Sequence, residues 1–368
     1  MVSGHGSRSS LGALVARPHC TLSTAALDDV VHYEPGDLTI TVGAGMPLAT
    51  LTELLAANDQ LLATQTYRRQ GTVGGLVASA ADGALAAGYG TVRDVVIGAA
   101  IAYTDGSLAR ARGRVVKNVA GYDVPRLMVG SMGTLGVLTE VSFKLQPAAP
   151  RSVSLVAGFA TPNDALEAAT RLMGEPWEPV FVDLLLGACT PQLAFGFDGH
   201  RERIDGLVQA SQSLLARAGC LGQELLEDAE DLTLRTRLDD PVAHGANGGD
   251  ALLRWWGRPA ELPSTLERLL APRDDGLIVR LDVRPQLGQV FASLAHSDHA
   301  AMYAATTMLL KQLRRTGSAV LLAAPDALRK DANTVWGPPP ADFVLMTQVK
   351  AALDPDRTLV AGRFVGGL

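Results

Sequence analysis

The sequence predicts an α+β protein of two domains, and three observations carry that expectation. Residues 38–145 are rich in glycine and in short, alternating apolar segments. Pro147-Ala-Ala-Pro150 then interrupts the pattern, which suits a domain boundary. Beyond it, strand-like and helical segments alternate as far as residue 323, as expected of a mainly antiparallel sheet with helices on one face. A chain of 368 residues is long enough for two sizeable cores, and 47% hydrophobic with 19% charged residues describes an ordinary folded protein.

The elements follow in order. Leu38-Thr-Ile-Thr-Val42 alternates as a strand after the Pro35-Gly36 turn. Pro47 fits the first turn of a helix whose apolar stripe is Leu48, Leu51, Leu54 and Leu55. Between them, Val42-Gly43-Ala44-Gly45 imitates a dinucleotide fingerprint. Leu48, however, stands where close helix–strand packing needs a small residue, so a tight strand-to-helix turn is expected instead. From Gly71 to Lys144 the pattern is strand-rich, with a hairpin folding Val95–Tyr103 onto the segment from Leu108 about Asp105-Gly106. Leu135–Leu145 reads as a further strand.

In the second domain, strands are expected at Ser152–Phe159, Val180–Leu186, Leu193–Phe197, Ala251–Trp256, Leu277–Val283 and Ala319–Ala323. Helices are expected at Pro162–Met173, Glu202–Ala218, Leu262–Leu270 and Thr306–Arg315. The acidic run Glu224–Asp231 reads as a solvated helix face. Arg254-Trp-Trp-Gly-Arg258 reads as the exposed and packed faces of one strand. Trp336-Gly-Pro-Pro-Pro340 is a loop before a last helix and the tail Asp354–Leu368.

Several function classes are disfavoured. A net charge of −6 leaves no basic footprint for nucleic acid. Cys20, Cys189 and Cys220 are far apart and odd in number, which suits reduced thiols in a cytoplasmic setting and no zinc or iron–sulfur site. No apolar run approaches a membrane span, and the N-terminus does not read as a signal peptide.

Two glycine-punctuated stretches carry the chemistry. They are Gln70–Ser79 and Arg114–Asp123 continuing to Gly130-Ser-Met-Gly-Thr-Leu-Gly136. Such glycine density permits close backbone approach and positive φ, and successive N–H groups can form a nest for a pyrophosphate. Together with Tyr33–Leu48, Tyr89–Asp94 and the tail Lys350–Arg363, these segments resemble the E subunit of bacterial glycolate oxidase. That family lies within the FAD-binding vanillyl-alcohol-oxidase, or PCMH-type, superfamily. The likeness is strong over residues 33–147, useful over 336–368 and faint between.

The resemblance implies an N-terminally shortened PCMH-type FAD-binding domain at 1–147, an α+β antiparallel-sheet cap domain at 151–335, and a segment 336–368 returning to the FAD domain. FAD, bound non-covalently, would be held by a first loop of Gly4, His5, Gly6 and Ser7. A second loop would comprise Gly71, Thr72, Val73, Gly74 and Gly75 with Ser79 and Ala80. Gly88 and Gly90 would approach the cofactor, and Val137 would lie on the strand beside the flavin. Backbone amides are expected to serve the pyrophosphate without cationic side chains. His5 occupies a glycine slot and reads as a surface histidine. Family members carry a strand–helix–strand unit before the first loop; an incomplete start is the expectation here.

The implied function is that of an FAD-binding subunit of a glycolate oxidase-like complex, oxidising glycolate or another small 2-hydroxy acid. Electrons would pass to partners, a second flavoprotein subunit and an iron–sulfur subunit, in the cytoplasm or at the inner face of the membrane through those partners. The alternatives are a self-sufficient FAD-dependent, D-lactate-like dehydrogenase and an accessory subunit without a complete substrate site. His296 and His299 are the catalytic candidates, as the compact histidine pair of the cap. Catalytic relatives carry a metal-binding His-x-Gly-Asp-Gly-Asn segment that this chain lacks, so His296-Ser-Asp-His299 reads as a polar loop and no metal is expected.

Overall fold

A central strand buried on both faces anchors the first sheet of the computed structural model. The model describes all residues except 16, 17, 19, 65–70, 113–121, 188–189, 240–249 and 272–275. Strands Val30–Glu34 (β1) and Thr39–Gly43 (β2) form a hairpin leading into the helix Leu48–Ala56 (α1). The helix Val73–Ser79 (α2) and the strands Val96–Ala102 (β3), Leu108–Arg112 (β4) and Val137–Lys144 (β5) follow. The five strands form one antiparallel sheet in the order β1-β2-β5-β3-β4.

On one face of this sheet Ile40 opposes Phe143 and Val42 opposes Val141, all with no exposed surface. On the other, Thr41 and Ser142 hydrogen-bond at 2.8 Å, which satisfies two hydroxyls that burial has removed from water. The stripe of α1 is buried at Leu48, Leu51 and Leu55. Helix α2 falls where the sequence suggested strand or loop. Gly74 and Gly75 lower its helix propensity and hide it, while Thr72 starts it by accepting the Gly75 N–H on its side-chain oxygen.

The second sheet has eight strands. They are Arg151–Gly158 (β6), Phe181–Leu186 (β7), Gln192–Gly199 (β8), Gly222–Glu227 (β9), Ala251–Trp256 (β10), Ile278–Arg284 (β11), Gln289–Ala295 (β12) and Ser318–Ala323 (β13). Their order is β9-β6-β8-β7-β11-β12-β10-β13, every neighbour antiparallel. Helices Pro162–Met173 (α3), Arg201–Arg217 (α4), Asp228–Leu238 (α5) and His299–Leu313 (α7) pack on it, and Leu262–Leu270 (α6) lies between β10 and β11 in the chain. Helix α3 shows why the sequence is legible here. Pro162 takes the first turn, Thr161 and Asp164 form a reciprocal capping box, and Ala165, Ala168, Ala169 and Leu172 are buried. Trp255 is buried and donates from Nε1 to the Leu313 carbonyl at 3.2 Å, while Arg254 stacks over the half-buried Trp256.

Two expectations are corrected. The acidic run Glu224–Asp231 is not one solvated helix face: Glu224–Glu227 pair along β6 as the end of the edge strand β9, and α5 begins at Asp228. Asp231 is buried because it bonds Ser154 and pairs with Arg235, which also reaches Asp198 at 2.9 Å and lies over the Phe181 ring. The helix expected at Thr306–Arg315 starts earlier, at His299, because the Asp298 side chain caps it.

The chain divides into a unit of residues 1–82, 90–148 and 329–368 and a unit of residues 83–89 and 149–328. Against the division at 147 and 335, residues 329–335 join the first unit, where Arg329 donates to the carbonyls of Ser9 and Gly12. Residues 83–89 join the second: Ala84 N–H donates to Asp239, Gly88 N–H to the Val180 carbonyl, and Tyr89 Oη to Asp198. The first unit ends in helices Ala332–Trp336 (α8) and Phe343–Leu353 (α9). Among the described residues no helix is long and apolar enough to cross a membrane.

Candidate functional site

A cleft of about 110 Å³ opens in the first unit. Its lining includes Gly4–Ser9 of the first loop, Thr72, Gly75 and Ser79 of the second, and Met132 and Arg363. Glycine makes this meeting possible. A Cβ on Gly4 would lie 2.4 Å from Thr72 Oγ1, so any other residue there would push the first loop off the cap of α2. A Cβ on Gly71, whose φ is +153°, would fall 2.7 Å from both Ser7 Oγ and Arg8 Nη1.

The turn at Gly43–Gly45 is the platform beneath. Strand β2 runs antiparallel to both neighbours, so this is not a parallel dinucleotide fold. The turn instead pins the second loop: Val73 N–H donates to Met46 at 3.0 Å, Gly74 N–H to Ala44 at 2.7 Å, and Leu48 N–H to Gly71 at 3.0 Å. Gly43 permits it by letting Leu27 approach, since a Cβ there would lie 2.1 Å from the Leu27 carbonyl oxygen.

That arrangement corrects the expected donor set. The amides of Val73 and Gly74 serve Met46 and Ala44, and the Gly75 amide serves the Thr72 cap at 3.3 Å. They hold the cradle's shape and are not standing ready for a ligand. Cationic side chains, which were not expected, line the cleft instead: Arg8 over Gly71 and Gly75, and Arg363. No carboxylate lines it among the described residues. Burial first, and the Arg329 charge second, lower the Arg363 pKa, so an anion is the neighbour this cluster favours. Glycine cradle, cations and absence of acid together fit a pyrophosphate.

The structure brings Gly4, His5, Gly6 and Ser7 together with Thr72, Gly75 and Ser79, and sets Gly71 against Ser7 and Arg8. His5 is exposed. Ser79 Oγ donates to the Gly75 carbonyl at 2.6 Å within α2. Val73 is buried and Gly74 backs onto Ala44, so both face the platform. Ala80 ends α2 in the left-handed region, and Val137 opens β5 opposite Ala102. Gly88 packs on Val180 in the second unit, and Gly90 precedes the Thr91–Asp94 capping box. Of the segment Arg114–Asp123, residues 114–121 lie outside the described residues.

His296 and His299 belong to the second unit, at the turn that leads into α7. His296 Nδ1 accepts the Asp298 N–H at 2.7 Å, and the Asp298 carboxylate caps α7 through Ala300 N–H at 2.8 Å. Among the described residues no group of three His, Cys, Asp or Glu side chains could hold a metal. Sequence reasoning missed Arg8 and Arg363. Their signals were present: Arg8 directly follows the first loop, and Arg363 closes the tail segment.

Residues 1–112 match a family described as FAD binding domain. The match takes in both loops of the cleft. The chain is 41% identical over 157 residues to glycolate oxidase subunit GlcE of Escherichia coli K12, covering 42% of this chain and 44% of that protein. It is 40% identical over 206 residues to the mitochondrial D-lactate dehydrogenase [cytochrome] of Arabidopsis thaliana, covering 56% and 33%. Glycolate oxidase subunit GlcD of Bacillus subtilis is 30% identical over 162 residues, covering 43% and 34%. The chain thus spans a third to under half of the length of these relatives. A solved alkyldihydroxyacetonephosphate synthase shares the fold at a TM-score of 0.67 and 15% identity, covering 92% of this chain and 68% of that one. The fold is α+β, an FAD domain of the PCMH type accompanied by an antiparallel-sheet unit.

Proposed function

We propose that the chain is an FAD-dependent oxidoreductase subunit that oxidises a small 2-hydroxy acid, with glycolate the first candidate, and passes the electrons to a partner. One observation carries the reading: the two glycine loops and Arg8, all within the matched residues 1–112, converge on a single cleft to which Arg363 comes from the C-terminal segment. In it, Gly4–Ser7, Gly71, Thr72 and Gly75 make the cradle, Ser79 backs it, and the Arg8 guanidinium balances pyrophosphate charge. Bound FAD supplies the two-electron acceptor that the side chains lack. Removing two electrons and two protons turns a 2-hydroxy acid into a 2-oxo acid, and the chain's part is to hold cofactor and substrate in place.

The names of the relatives support the substrate class and an assembly of several subunits, with a second flavoprotein subunit and an iron–sulfur subunit as the proposed partners. Such an assembly sits in the cytoplasm or on the inner face of the membrane through its partners.

A second reading, an accessory subunit that binds FAD without a complete substrate site, is favoured by the turn after β12, where His296 Nδ1 is taken up by the Asp298 N–H. Anaerobic addition of glycolate or D-lactate to the purified, FAD-loaded chain separates the two. Bleaching of the flavin absorbance supports oxidation by this subunit, and a stable yellow protein supports the accessory role. A chain that takes up no FAD refutes both.

A further inference from the structure

We propose that Arg363 is a positioning residue for the cofactor cradle: from the C-terminal segment it fixes the backbone of residues 8–12 in the shape an anion can enter. The inference rests on the FAD reading above. Arg363 Nη2 donates to the carbonyls of Arg8 and Ser9, each at 2.9 Å, and Nε donates to Leu11 at 2.8 Å. Its own carbonyl receives the Ala13 N–H at 3.0 Å and the Trp336 indole N–H at 2.8 Å. Arg329 completes the clamp, donating to Gly12 at 3.1 Å and Ser9 at 3.3 Å while its carbonyl accepts the Leu14 N–H at 2.8 Å.

The loop has no helix or sheet of its own to order these carbonyls. Left unpaired beside the cleft, their negative ends would repel a pyrophosphate. Drawn onto guanidiniums, they are neutralised and held. Gly12 allows the approach, because at φ +92° its Cβ position would lie 2.8 Å from Arg363 Cγ.

The segment bearing Arg363 is itself anchored. Buried Lys350 donates to the carbonyls of Thr134 at 2.8 Å and Leu359 at 3.0 Å and pairs with Asp354. Asp354 in turn accepts the N–H groups of Thr358 and Leu359, each at 2.9 Å. Thr134 lies in the same turn as Met132, which lines the cleft. The tail is therefore fastened on both sides of the cradle, and its donors add to the local turn in which the Leu11 N–H reaches the Arg8 carbonyl at 3.1 Å.

The test compares the full-length wild type, Arg363→Lys and Arg363→Met. FAD affinity is read by flavin fluorescence, and amide hydrogen exchange over residues 8–14 is read without FAD. Arg363→Met is expected to weaken FAD binding at least about tenfold, the scale of losing charge-assisted hydrogen bonds, with faster exchange confined to that loop. Arg363→Lys, which keeps the charge and part of the donor set, is expected to lie between. Wild-type affinity or wild-type exchange in Arg363→Met overturns the proposal. If Arg363→Met does not fold, Trp336→Phe decides, since it removes only the indole donor to the Arg363 carbonyl: weaker FAD binding supports the clamp, and unchanged binding overturns it. If the wild type takes up no FAD, the FAD reading fails, while faster exchange in Arg363→Met upholds the clamp and unchanged exchange overturns it.

Discussion

Gly4 and Thr72 meet with no room for a methyl group, so the cradle is sensitive to single atoms. Gly4→Ala is expected to weaken FAD binding by about tenfold or more, because the loop must move off the cap, and equilibrium dialysis with FAD measures it. In the second unit, Asp183 is buried on β7 with the Arg284 guanidinium 3.7 Å away. Burial raises its pKa from 3.8 to about 7, with the nearby Asp282 charge adding to the rise and Arg284 opposing it. A folded-state pKa above the unfolded value means the native state holds the extra proton. Stability from this group is therefore complete below about 4 and is lost as pH rises to about 7. Calorimetry across that window is expected to show the second unit melting lower as pH increases, and Asp183→Asn is expected to flatten the slope.

Among the elements, α3 and α5 illustrate two ways of fixing a helix. The ends of α3 were legible because Thr161, Pro162 and Asp164 signal a start within four residues. Thr161→Ala is expected to cost about 1 kcal/mol in denaturant unfolding, the usual loss for an N-cap. Helix α5 was hidden in an acidic run, because its first buried residue is the aspartate Asp231 and not an apolar one. Only the fold supplies the Ser154 and Arg235 partners that make that burial tolerable. Arg235→Leu, which strands Asp231 and Asp198, is expected to destabilise the second unit by about 3–5 kcal/mol, read from the same unfolding curves. Helix α2 was missed for a different reason. Its glycines are needed for close approach to the first loop and the Ala44 turn, and that need outweighs their low propensity.

Over the whole molecule, the chain leaves the first unit after residue 148 and returns to it at residue 329. Residues 329–368 are consequently part of the cofactor-binding unit and not an appendage to the second. Truncation after Leu328 is expected to abolish FAD retention, since it removes Arg329, Arg363 and the Lys350 anchor together. Absorbance of the purified truncated chain near the flavin bands checks this, with circular dichroism reporting whether the sheets persist.

The sequence by itself determined the fold class and most strands of the second sheet. Those features are local: alternation, capping residues and glycine density are properties of neighbouring residues. Only the tertiary structure decided that Val73 and Gly74 spend their amides on the Ala44–Met46 turn, and that Gly88 packs on Val180. It alone brought Arg363 onto the carbonyls of Arg8, Ser9 and Leu11. A hydrogen bond between residues more than three hundred positions apart leaves no periodicity to read. Its donor and acceptor are chosen by the packing of the whole unit.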